Sequence, residues 1–236
     1  MKRIGLWSVG LVAVTLIVGG CSKTDGTKTR SAEQPPAQPA AIGTGGAGAD
    51  VKSDSEFVRD VAMMNMTEVE LSRIALTRAT SNDIKLFAQR MVDEHEAAGN
   101  KLKDVLSGKS IELPAQLDEK HRDAADDLTK KQGLDFDRDY LKAMVEGHQD
   151  FAAKLESRLD VQSVEEWKTA AAGRAQGKAL PDPNVEMPDV KVRPTASGNE
   201  ITMKVNQWAA DMYPIAHKHL DTARALENAT KKRSTN

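Results

Sequence analysis

The chain has 236 residues, room for one large domain or two small ones. Aromatic residues are scarce at 4% and charged residues reach 29%, a balance that favours helices over sheets. With 33 basic against 35 acidic residues there is no surplus of positive charge to suit nucleic acid, and the short run Lys231-Lys232-Arg233 reads as a solvated helix end.

Residues 1–20 read as an export signal. Lys2 and Arg3 form the basic start, and Ile4 to Val18 form an apolar stretch that is short for a membrane span. The signal ends in Val18-Gly19-Gly20-Cys21, which resembles the bacterial lipobox. That resemblance implies cleavage before Cys21 and lipidation of its thiol, and Cys21 is the single cysteine of the chain. Two or more acyl chains hold a protein stably on a membrane, so the expected partner is a membrane, reached through an N-terminal lipid anchor. Ser22 follows the cysteine where Asp would be an inner-membrane retention signal. The expected location is therefore the bacterial cell envelope, at the outer membrane facing the periplasm.

Residues 21–52 read as a disordered tether. Pro35-Pro36, Pro39 and the run from Gly43 to Gly48 leave few apolar side chains to bury. The segment 53–232 reads as an all-α domain, an antiparallel four-helix bundle with extra short helices. The first long helix is expected from Ser53 or Ser55 to Ala79, and the second from Asn82 to Ser107, closed by Gly108. A polar helix should start at Pro114 and end near Gln132, with a weak stripe of Leu117, Ala124 and Leu128. The third long helix should be capped by Asp135 or Asp137 and end near Leu159. A capping-box pattern at Ser163 starts another short helix. Residues 175–198, with Pro181, Pro183, Pro188 and Pro194, read as an irregular insertion, functional or mobile. The fourth long helix should run from Asn199 to Ala229, with a kink or break at Pro214.

Each long helix carries one ionisable residue on its apolar face. Phe57, Val61, Met64, Leu71 and Ala75 form a ladder completed by Glu68. Ile84, Phe87, Met91, Ala98, Leu102 and Val105 are completed by His95. Tyr140, Met144, Phe151 and Leu155 are completed by His148, and Val205, Trp208, Met212, Ala216, Ala223 and Leu226 by His219. Glu68 and His95 each lie about thirteen residues, or roughly 20 Å, from the turn at Ser81. His148 counts to a similar level from Gly133, whereas the long connection leaves the level of His219 undetermined. His121 and His217 fall off the ladders and read as solvated.

Several stretches together resemble the bacterial exported family called domain of unknown function 4142. They are Glu68-Val69-Glu70-Leu71-Ser72-Arg73-Ile74-Ala75-Leu76, and Lys85-Leu86-Phe87-Ala88-Gln89-Arg90-Met91-Val92-Asp93-Glu94-His95. They continue with Phe136-Asp137-Arg138-Asp139-Tyr140-Leu141 and on to His148, then Tyr213-Pro214-Ile215-Ala216-His217-Lys218-His219-Leu220. The resemblance implies a ferritin-like bundle in the envelope and no established activity. The proline-rich stretch from Pro181 to Pro194 stands out as an insertion.

Di-iron proteins of ferritin-like fold use Glu-x-x-His on two helices. Here Val92, Val145 and Ala216 stand three residues before the histidines, which argues against a di-iron oxidase. One carboxylate and three imidazoles, Glu68, His95, His148 and His219, instead suit a single Zn, Fe, Mn or Cu ion. Met64, Met91 and Met144, each one turn from a polar member, would favour copper if their thioethers faced it. The alternative is a buried, self-satisfied polar layer in a structural, stress-protective or partner-binding envelope protein. No phosphate loop or nucleophile setting is present, so no enzymatic activity is assigned.

Overall fold

The computed structural model describes residues 46–175 and 189–233, all helix and connecting segments. The signal, Cys21, most of the tether, and Pro181, Pro183 and Pro188 lie outside the described residues. Among the described residues, no helix is long and apolar enough to cross a membrane.

Four long helices surround the core: α1 (Gly46–Arg78), α2 (Asn82–Val105), α4 (Gly133–Glu156) and α6 (Glu200–Arg233). The short helices are α3 (Glu119–Thr129) and α5 (Val161–Ala175). Contacts descend along one helix as they ascend along its neighbour. Between α1 and α4, Asp54 meets Arg158 just past the end of α4, Asp60 meets Lys154, Glu68 meets His148 and Ser72 meets Tyr140. Between α4 and α6, Glu156 meets Tyr213, His148 meets His219 and Asp137 meets Arg233. These pairs run antiparallel.

The apolar ladders build two core clusters stacked along the bundle. One contains Phe57, Val61, Leu102, Phe151 and Trp208; the other contains Leu71, Ile84, Phe87, Phe136, Tyr140 and Met144. Each long helix passes from one cluster to the other through its polar residue, so Glu68, His95, His148 and His219 lie between the two.

A polar clamp closes the bundle at either end. Arg158 donates to Asp54 Oδ1 at 2.5 Å and to the Ser53 carbonyl at 2.8 Å, and Thr202 donates to Asp54 Oδ2 at 2.7 Å. That network joins α1, α4 and α6, and the Arg158 guanidinium also lies 4.5 Å from the Phe57 ring centre. At the other end, buried Asp137 accepts from the Thr80 backbone N–H at 2.9 Å and from the Thr80 hydroxyl.

Several boundaries differ from the sequence reading. Helix α1 starts at Gly46 rather than at Ser53 or Ser55, because extending a formed helix costs far less per residue than nucleating one. Helix α3 is capped by Asp118, which accepts from the His121 N–H, and it buries Ala125 and Leu128 in place of Ala124. Neither Asp135 nor Asp137 caps α4: it begins at Gly133, whose φ of +60° turns the chain out of α3. Asp137 serves the end of α1 instead. Asp160, not Ser163, caps α5 by accepting from Ser163 N–H at 2.9 Å. Helix α6 continues through Pro214 without a break. One missing N–H is tolerated where Tyr213 and Ala216, on either side, are fully buried.

The end of the proline-rich segment is held in place. Asp160 N–H donates to the Arg193 carbonyl and Thr195 N–H to the Arg158 carbonyl, both at 2.9 Å, and Leu159 bridges Pro194. Arg193 N–H donates to Ser163 Oγ, and Val192 is buried beside α5. This return segment sets the start of α6, where the Asn199 side chain accepts from the N–H groups of Ile201 and Thr202.

Candidate metal centre

Glu68, His95, His148 and His219 meet in one buried layer. The three imidazole ring centres are 5.2–5.5 Å apart. One nitrogen from each ring can be chosen so that all three lie within 4.8 Å of one another. Glu68 reaches between two of the rings, with Oε2 at 3.2 Å from His95 Nε2 and Oε1 at 3.2 Å from His148 Nδ1. His219 joins this layer because α6 pairs antiparallel with α4, a relationship the residue count could not supply.

Each imidazole is held from outside the layer through one nitrogen. His95 Nδ1 lies 2.9 Å from Asn65 Oδ1, and Asn65 Nδ2 donates back to the His95 carbonyl at 2.9 Å. His148 Nδ1 lies 2.8 Å from the Met144 carbonyl. His219 Nε2 lies 2.8 Å from Glu94 Oε2. Since each of these oxygens can only accept, each assigns its ring nitrogen the proton. The second nitrogen is thereby left as a lone pair: Nε2 of His95, Nε2 of His148 and Nδ1 of His219. Those three atoms, and both oxygens of Glu68, are buried without a hydrogen-bond partner. The 3.2 Å approaches of Glu68 are thus contacts without hydrogen-bonding geometry.

Burial sets the charge states. It pushes the Glu68 carboxyl well above the usual carboxylate range. Burial, reinforced by the neighbouring histidines His219 and His148, holds His95 well below the usual imidazole range. Burial likewise lowers His148 to about 3, with His219 adding to the effect. Both rings are therefore neutral, the form in which imidazole binds a metal. Glu94 is different: partly exposed, it is held below the usual carboxylate range, chiefly by its hydrogen bond with His219.

Asn65 and Glu94 were missed as site residues. Asn65 lies three residues before Glu68 and so shares its face, a signal present in the spacing. Glu94 adjoins His95 on α2 but serves His219 on α6, which nothing in the spacing shows. Met91 and Met144 pack in an apolar cluster, and Met144 Sδ lies 3.9 Å from Ser72 Oγ. His121 is partly exposed and its Nδ1 pairs with Asp118. His217, expected in solvent, is half-buried against Trp167 and Tyr213, with ring centres 4.8 and 4.5 Å away. Helix α5 covers that face of α6, and the apolar ladder of α6 alone could not indicate it.

The fold and this layer define an all-α protein with a buried histidine cluster in its core. The chain belongs to the family described as Domain of unknown function (DUF4142), whose model matches residues 39–177. That stretch contains Glu68, His95 and His148; His219 lies beyond it. No curated protein and no solved structure matches the chain.

Proposed function

We propose that the protein binds a single transition-metal ion through Glu68, His95, His148 and His219, in an envelope protein tethered by lipid at Cys21. The observation that carries this reading is the clustering of three buried imidazoles, each with one unpartnered nitrogen. A protein oxygen holds the other nitrogen of each ring, and one nitrogen of each ring lies within 4.8 Å of those of the other two. Metal-ligating histidines are held in this way, by a carboxylate, carbonyl or amide behind the ring. A self-satisfied polar layer would instead hydrogen-bond Glu68 to its neighbours. Leaving five buried polar atoms unpaired would cost several kcal/mol.

Three imidazole nitrogens and one carboxyl group suit Zn, Fe, Mn or Cu, and bound metal would join all four long helices at one level. The thioethers lend copper no particular support, because Met91 and Met144 serve the apolar core. Catalysis is not part of the proposal. The test is metal analysis of the full chain, purified without an affinity tag and then dialysed against each of the four ions. One ion per chain is expected, lost in His148→Ala. A chain that holds none of the four would end the proposal.

A further inference from the structure

Two long helices carry an interior glycine that their backbone does not require. Gly99 lies inside α2 and Gly147 inside α4, and neither takes the positive φ of Gly108 and Gly133. Glycine inside a helix is destabilising relative to alanine, so a reason must lie in the space around it. A Cβ on Gly147 would stand 2.9 Å from Glu68 Oε1, and the three nearest atoms it would meet all belong to Glu68. A Cβ on Gly99 would stand 3.2 Å from Asn65 Nδ2. Each bare Cα therefore faces a side chain of the metal centre: the carboxylate in one case, the amide behind His95 in the other.

We infer that Gly147 is a positioning residue of the centre: the missing methyl on α4 is the space that lets the Glu68 carboxylate reach between His95 and His148. Gly99 makes the matching room for Asn65. The inference rests on the metal-binding reading. Real Cβ atoms essentially never come within 3.0 Å of such a neighbour, so a methyl at 147 must displace Oε1. Oε1 is one of the unpartnered atoms of the centre. Displacement would turn the carboxylate away from the rings.

The test uses Zn2+ as the probe and the purified full chain. Gly147→Ala should weaken Zn2+ affinity by about 10–100-fold, the usual effect of disturbing the support of a ligand. Helical circular dichroism should be retained. A parallel cycle in metal-free protein compares Gly147→Ala in the parent and in Glu68→Ala. With the carboxylate gone, the methyl has free space and should raise Tm, whereas in the parent it should not. If Gly147→Ala fails to fold in the parent but folds with Glu68→Ala, the inference is supported. Equal changes in Tm in both backgrounds overturn it. A parent that binds Zn2+ with a Gly147→Ala variant of unchanged affinity overturns the inference alone. If the parent takes up no Zn2+, the same comparison is made with whichever of the other three ions it binds; a parent that binds none of the four overturns the metal reading and the inference with it.

Discussion

Asn65 and His95 hold each other by two hydrogen bonds, side chain to ring and side chain to backbone, each 2.9 Å long. The backbone bond orients the amide, and the oriented amide places its oxygen against His95 Nδ1. Asn65→Ala should therefore leave the ring free to rotate and weaken metal affinity by about 10–100-fold. Competition against a chromogenic chelator measures this. Unchanged affinity would show that packing alone orients His95.

Metal should stabilise the fold. At a free concentration of about 100 times Kd, an ion bound only by the folded chain contributes about 2.7 kcal/mol. Thermal unfolding with and without metal should show a rise in Tm in the parent and none in His148→Ala. An equal rise in both would place the ion elsewhere.

Arg158 and Asp54 form a buried pair, with side chains 11% and 1% exposed. Arg158→Met should destabilise the protein by about 3–5 kcal/mol, because the Asp54 carboxylate would lose its counter-charge while staying buried. Urea unfolding of the metal-free protein gives the value. Adding Asp54→Asn should recover part of the loss; a double variant no better than the single would argue against pairing as the cause.

Asp160 accepts from the Ser163 N–H and from Arg193, and the Ser163 bond is the main reason its carboxyl is held below the usual carboxylate range. A lowered folded pKa means that its contribution is present above about pH 4 and is lost as pH falls through the folded value. The urea midpoint of the parent should fall more steeply below pH 4 than that of Asp160→Asn. Parallel curves would remove Asp160 from the acid response.

Cys21 is expected to carry the lipid anchor, on the order of basic, apolar and small residues that ends at it. Cys21→Ala should shift the protein from the membrane fraction to the soluble fraction. Retention on the membrane would mean that another segment holds it there.

The helices and their inward polar residues were legible in the sequence because both are local. A residue's place on a ladder depends only on the 3.6-residue turn, so Glu68, His95, His148 and His219 could each be read from their own helix. Helix ends were less legible. Asp137 and Asp160 are both acidic residues near a helix start, yet one caps α5 and the other fastens α1 from across the bundle. What only the tertiary structure decided is which helices adjoin and at what relative height. That pairing brings Glu94 to His219, Asn65 to His95, α5 over His217 and the bare Cα of Gly147 against Glu68. Periodicity tells which side of a helix turns inward; hydrogen bonds and close approaches of about 3 Å depend on rotation and register between helices, which no single helix encodes.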